Sequence, residues 1–264
     1  MGHGKLRKFA ENETFRCLLQ PDASSVLAKP EGSRELVLRD HAIKGNWNRD
    51  MFEKPQPIVL ELGCGKGDYT IALARRHPEM NFIGVDIKGA RLWKGAKEAT
   101  EQAMGNVAFL RTRIEFIDAF FGPGEVSEIW LTFSDPQPKS ENNRLTSPGF
   151  LERYRKMLKP GGIVRLKTDS RFLHEYTRAV VEANGLELLA CTTDLYGGGG
   201  GPVEPEVREV HTFYENMFLE QGVPITYMAF RIDHQGPYVH PSEKYDSARW
   251  RELDSSRRSF GHQG

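Results

Sequence analysis

The sequence predicts an α/β protein built on a parallel sheet, with seven strand-like runs. Three observations carry this expectation. Short apolar runs alternate with stretches of helical spacing, a glycine-rich turn joins the first run to the first helix, and an acid ends the second run. Alternation of this kind implies βαβ crossovers, which lay successive strands parallel and place the helices on the sheet's faces.

Each element follows in order. PIVLELG is an apolar run ending in Gly, and GDYTIALARRHP continues with helical spacing and a Pro stop. NFIGVDI is the second strand, and GARLWKGAKEATEQAMG is a helix closed by Gly105. NVAFLRT, SEIWLTF and GIVRLKT read as further strands, with helices near Phe150 to Leu158 and Arg171 to Ala183. ELLACTTDLY is the sixth strand. GGGGGPVEPEV then reads as a loop or lid, HTFYENMFLEQG as a short helix and PITYMAFRI as the last strand. Residues 1–55 are polar with weak periodicity and read as an arm. Residues 56–233 form the domain, and 234–264 a polar tail expected to be partly unstructured. No internal repeat is visible.

Composition narrows the function classes. Hydrophobic residues make up 39% and charged residues 27%, and no apolar run is long enough to span a bilayer, so no membrane partner is expected. The N-terminus lacks the apolar stretch of a secretory signal. The three cysteines, Cys17, Cys64 and Cys191, suggest neither a disulfide framework nor a zinc site, which favours the cytoplasm. Lys+Arg and Asp+Glu are 36 each, so any nucleic-acid footprint must be local. Candidate clusters are Lys5, Arg7 and Lys8; Arg153, Arg155, Lys156 and Lys159; and Arg249, Arg251, Arg257 and Arg258. Taken alone, each is more often a solvated face than a phosphate site.

In ELGCGKGDYT, Gly63, Gly65 and Gly67 allow a sharp turn that brings backbone N–H groups close to a ligand. Asp86 ends the second strand, where a carboxylate bonds both hydroxyls of a ribose. A dinucleotide fingerprint would place its third Gly where Asp68 stands. A tighter GxGxG with a preceding acid, Glu61, suits a nucleoside bearing an amino-acid tail, and S-adenosylmethionine is such a molecule. Glu61 then helps hold the methionine amino group; alternatively it is a strand-end carboxylate facing solvent.

FSDPQPK follows the fourth strand, so Asp135 projects from a carboxyl edge of the sheet, where ligands of open α/β sheets bind. Pro136 and Pro138 stiffen the turn, and Lys139 stands on its rim where a phosphate would sit. A Pro-rich surface turn is the plain alternative. Asp169 ends another strand at the ligand-binding edge. Thr212 and Glu215 have the spacing of a capping box, so a helix cap is their plain reading. The eight histidines show no metal-binding spacing, and no metal is assigned.

ELGCGKG, IGVDIKG, FSDPQPK, RLTSPGFLERY, KPGGIVRLKTDS and HTFYENMF, in this order, resemble the bacterial tRNA (guanine-N7)-methyltransferase family over roughly Asn46 to Ile232. The resemblance implies the Rossmann-like class I methyltransferase fold, a seven-stranded, mostly parallel sheet with helices on both faces and one antiparallel strand near the edge, and methyl transfer from S-adenosyl-L-methionine to the variable-loop guanine of tRNA. It implies that Glu61 and Asp86 bind the cofactor and that Asp135 touches both cofactor and target. It assigns Lys139, Asp169 and the stretch Thr212, Phe213, Tyr214 and Glu215 to the RNA. Two positions depart from the pattern. Gln137 replaces an aromatic after the Asp-Pro, and Arg113 replaces a cofactor-contacting acid, leaving its backbone to bond the adenine and Glu115 as a substitute carboxylate.

Guanine N7 already carries an in-plane lone pair, so the reaction needs alignment and a negative group near the purine rather than a base. Asp135 fits that requirement. The rival readings are a class I methyltransferase acting on an exocyclic amine of another RNA or protein, and a non-catalytic RNA-binding protein of the same fold. Monomer and homodimer both remain open.

Overall fold

The structure is a computed structural model that describes residues 3–32, 35–197 and 203–254. Its contacts group the chain into two units, Met1–Thr132 with Lys156–Gly162, and Phe133–Arg155 with Ile163–Gly264.

The first unit begins with α1 (His3–Asn12), followed by β1 (Leu18–Leu19), β2 (Leu27–Ala28), β3 (Val37–Leu38) and α2 (Trp47–Asp50). The βα alternation then runs β4 (Ile58–Leu62), α3 (Asp68–Arg76), β5 (Asn81–Asp86), α4 (Gly89–Glu101), β6 (Val107–Arg111) and β7 (Val126–Thr132). Strands lie in the order β1-β6-β5-β4-β7 and every neighbouring pair is parallel. Every residue of β4 and β5 is buried, as expected where helices cover both faces.

The arm does more than its weak periodicity suggested. Leu18 pairs with Phe109 and Leu19 with Leu110, so β1 adds a strand to the sheet. In α2, the fully buried Trp47 donates its indole N–H to the Phe120 carbonyl at 2.8 Å. Helix α1 rests on α4, where the Trp93 indole donates to Glu11 and the Asn12 amide to the Gly89 carbonyl.

The second unit contains most of α5 (Pro148–Met157) and of β8 (Leu158–Thr168), then α6 (Arg171–Ala183), β9 (Leu188–Thr192), α7 (Pro205–Glu209), α8 (Phe213–Glu220), β10 (Thr226–Arg231) and α9 (Ser247–Asp254). β10 runs antiparallel to both β8 and β9, the antiparallel strand expected near the edge.

Among the described residues the sheet strands other than the small β2–β3 pair number eight rather than seven, because two-residue β1 is too short to register as an apolar run. Two expectations need correction. The Gly/Pro-rich lid contains a short helix, α7, started by Pro205, whose fixed φ and missing N–H suit a first turn; residues 198–202 of that lid lie outside the described residues. The tail from His234 is packed through Asp254: Tyr238, Tyr245 and Asp254 are buried, and α9 lies on α6. Its few anchoring aromatics are diluted by polar neighbours, so composition hides them. Arg257 and Arg258 lie outside the described residues.

Candidate active site

In the first unit the turn from Gly63 to Gly67 leaves β4 with φ of +82°, +58° and +79° at its three glycines, a region costly for side-chain-bearing residues. The N–H groups of Gly63 and Cys64 both bond the Val85 carbonyl, locking the turn to β5. A Cβ on Gly63 or Gly65 would meet nothing within 4 Å, whereas one on Gly67 would lie 2.6 Å from the Phe109 ring. The first two glycines therefore face open space, and the third is dictated by packing. Cys64 is buried among acids; burial first and the Glu61 and Asp86 charges next push its thiol up, which makes it an inert small residue.

Asp86 closes this turn from the neighbouring strand. Its carboxylate accepts the Gly65 N–H at 3.0 Å and the Lys88 N–H at 2.7 Å. Glu61 does not face solvent. It is 4% exposed and accepts from the Thr70 N–H and hydroxyl and from the Thr132 hydroxyl. Burial outweighs these donors and raises its carboxyl to about 7.

Beside Ile87, the residue following Asp86, opens a cleft of about 270 Å³. Thr112, Arg113, Phe116 and Phe120 line it from the β6 side. The Arg113 side chain is 56% exposed and pairs with Glu115 at 3.0 Å, so the residue in the missing acid's place is bonded to its proposed substitute carboxylate. Pro21, Asp22, Ala23 and Val26 of the arm also line this cleft. Sequence reasoning missed them; a Pro-Asp-x-Ser turn ahead of an apolar Val was the only local signal.

The glycine cradle open to solvent, the strand-end carboxylate of Asp86 and the adjoining half-apolar cleft fit a nucleoside carrying an amino-acid tail.

In the second unit, Phe133 has φ +51° and donates its N–H to the Lys167 carbonyl. Asp135 follows on an exposed turn, where its Oδ1 accepts the Gln137 N–H at 2.9 Å. Gln137 itself sits at φ +45°, so the residue that replaces the family aromatic occupies a left-handed corner. Arg144, also missed, fixes this corner. It is fully buried, its guanidinium lies 4.7 Å and 4.3 Å from the ring centroids of Phe172 and Tyr176, and it donates to the carbonyls of Pro136, Gln137 and Tyr245. Lys139 is exposed on the same turn.

Asp169 is half-buried at the end of β8. The next residue, Ser170, caps α6 by accepting the Leu173 N–H and donates its hydroxyl to Asp254 of the tail, which also accepts the Arg171 N–H. Thr212 and Glu215 form a capping box at the start of α8. Glu215 is completely buried. Its carboxylate meets the Lys167 ammonium at 2.7 Å and the Tyr196 hydroxyl at 2.6 Å, while Lys167 also donates to the Val207 and Val210 carbonyls. Burial lowers the Lys167 ammonium's pKa, and the Glu215 charge opposes that. Glu215 thus turns inward, whereas Phe213 and Tyr214, 64% and 49% exposed, turn outward.

The profile of a family described as putative methyltransferase matches residues 55–227. A tRNA (guanine-N(7)-)-methyltransferase of Christiangramia forsetii is 49% identical over 86% of this chain and 97% of its own length. One from Bacteroides thetaiotaomicron is 45% identical over 98% of each. Among solved structures, the 16S rRNA methyltransferase KamB superposes with a TM-score of 0.53 at 17% identity, covering 75% of this chain and 95% of its own, and bears on the fold alone. The fold is that of the class I S-adenosylmethionine-dependent methyltransferases, and the chain belongs to the tRNA (guanine-N(7)-)-methyltransferase family.

Proposed function

We propose that this protein transfers a methyl group from S-adenosyl-L-methionine to N7 of the variable-loop guanine of tRNA, in the cytoplasm. The observation that carries the reading is the 49% identity to a tRNA (guanine-N(7)-)-methyltransferase along 86% of the chain. When bound, the cofactor supplies a methyl group on a sulfonium, an electrophile that needs no further activation.

The chain's own residues supply position and charge. Gly63, Gly65 and Gly67 let the backbone approach the amino-acid tail, Glu61 places negative charge beneath it, and Asp86 accepts from the ribose hydroxyls. The Arg113 backbone borders the adenine. Asp135 holds a carboxylate where the purine becomes cationic, which stabilises the transition state more than the ground state. Because N7 is unprotonated, the reaction asks for neither a general base nor a metal. Lys139, Asp169, Phe213 and Tyr214 face the RNA, while Thr212 and Glu215 act by setting the helix that presents Phe213 and Tyr214.

The test is incubation with unmodified tRNA transcript and labelled cofactor, followed by chain cleavage at methylguanine. Cleavage at the variable-loop guanine, lost when that base is replaced by adenine, is the expected result. Label on an exocyclic amine would sink the reading.

A further inference from the structure

The arm reaches the cofactor end of the first unit by a fixed route. The Cys17 carbonyl accepts the Phe109 N–H and β1 runs parallel to β6, so residues 20–26 emerge at the carboxyl end of β6, where Thr112 and Arg113 leave the sheet. There the chain is pinned. The Arg39 guanidinium donates to the carbonyls of Ser24 and Ser25 at 2.8 Å and 3.1 Å, and the Ser25 hydroxyl and N–H both bond the Asp22 carbonyl. The backbone of Asp22 is thereby held in place while its carboxylate makes no capping hydrogen bond.

Asp22 lines the cleft beside Ile87, and among the described residues it is the only acid that does so; the other charged residues there are Arg111 and Arg113. Arg111 donates to the Ile87 carbonyl and Arg113 is paired with Glu115. Ile87, Val26 and Phe116 supply apolar walls for a flat ring. A nucleoside whose ribose is bonded by Asp86 carries its base one glycosidic bond away, and this cleft adjoins Asp86. An adenine presents an exocyclic amine, a donor that neither arginine is able to satisfy and a carboxylate is.

We propose that Asp22 of the N-terminal arm accepts a hydrogen bond from the exocyclic amine of the cofactor's adenine, making the arm part of the cofactor site and a determinant of base specificity. The proposal rests on the cofactor reading above.

Calorimetry on the full chain with S-adenosylhomocysteine and S-inosylhomocysteine, which carries a carbonyl in place of the amine, tests it without measuring activity. The wild type should prefer the adenosyl compound. Asp22→Ala should weaken that compound about tenfold and leave the inosyl compound unchanged or tighter, so the preference collapses. Asp22→Asn, whose amide oxygen still accepts without charge, should lie between. Asp22 is exposed, so the melting temperatures of the unliganded variants should match the wild type. A wild-type preference retained in Asp22→Ala overturns the proposal, as does a wild type that binds both compounds equally. A wild type that binds neither overturns the cofactor reading itself, and the proposal with it.

Discussion

Asp135 stands exposed on a turn whose geometry is set by others, by the Gln137 N–H that it accepts and by Arg144 behind Pro136 and Gln137. Changing its charge should therefore disturb chemistry more than folding. Asp135→Asn is expected to lower the single-turnover methylation rate about a hundred- to thousand-fold on saturating tRNA, while S-adenosylhomocysteine binding changes far less. A rate within about twofold of wild type would reduce Asp135 to a turn former. Glu61 is the opposite case, a buried acid whose carboxyl is raised from 4.5 to about 7. The folded protein holds this proton more tightly than the unfolded chain does. Its contribution to stability is thus full below the ordinary carboxyl value and declines as pH rises through about 7, by on the order of 3 kcal/mol. Melting the unliganded protein between about pH 5 and pH 8 should reveal that decline, and Glu61→Gln should flatten it.

At the scale of elements, the buried Lys167–Glu215 pair ties the end of β8 to α7 and α8. Breaking one partner strands the other charge in the interior. Lys167→Met should cost about 3–5 kcal/mol in urea denaturation, and the double variant Lys167→Met/Glu215→Leu should recover much of that loss. If Glu215 gripped RNA directly, its substitution would raise the tRNA KM with stability unchanged. Thr212 and Glu215 were legible in the sequence as a capping box because that signal is local, a fixed spacing of three residues. Lys167 was not, because its partner is 48 positions away and only the fold brings them within 2.7 Å. The same holds for Asp254, which caps α6 from 83 positions downstream.

For the molecule as a whole, zero net charge makes the RNA footprint a matter of which cations remain uncommitted. Several that the sequence counted are already engaged: Arg155 with Glu152, Lys156 with Asp118, and Arg249 with Glu175, Glu243 and Glu252. Lys139 and Arg251 are exposed and make no ion pair with another described residue. In filter binding across a salt series, Lys139→Ala and Arg251→Ala should each reduce the slope of log affinity against log salt by about one. Arg249→Ala should leave it nearly unchanged. Equal slopes for all three would mean that ion pairing on the protein does not decide which cations meet phosphate.

The sequence by itself determined the alternation of strands and helices, the glycine turn, the acid at the end of β5 and the turn bearing Asp135. Each of these is written in adjacent residues, as periodicity, as a backbone conformation only glycine adopts easily, or as proline stiffness. The tertiary structure alone decided that two residues of the arm complete the sheet, that Asp22 enters the cleft beside Asp86, that Arg144 holds the Asp135 turn and that Glu215 faces inward to Lys167. Those facts depend on chain segments distant in sequence meeting in space, and a polar side chain reads the same in sequence whether it meets water or a buried partner.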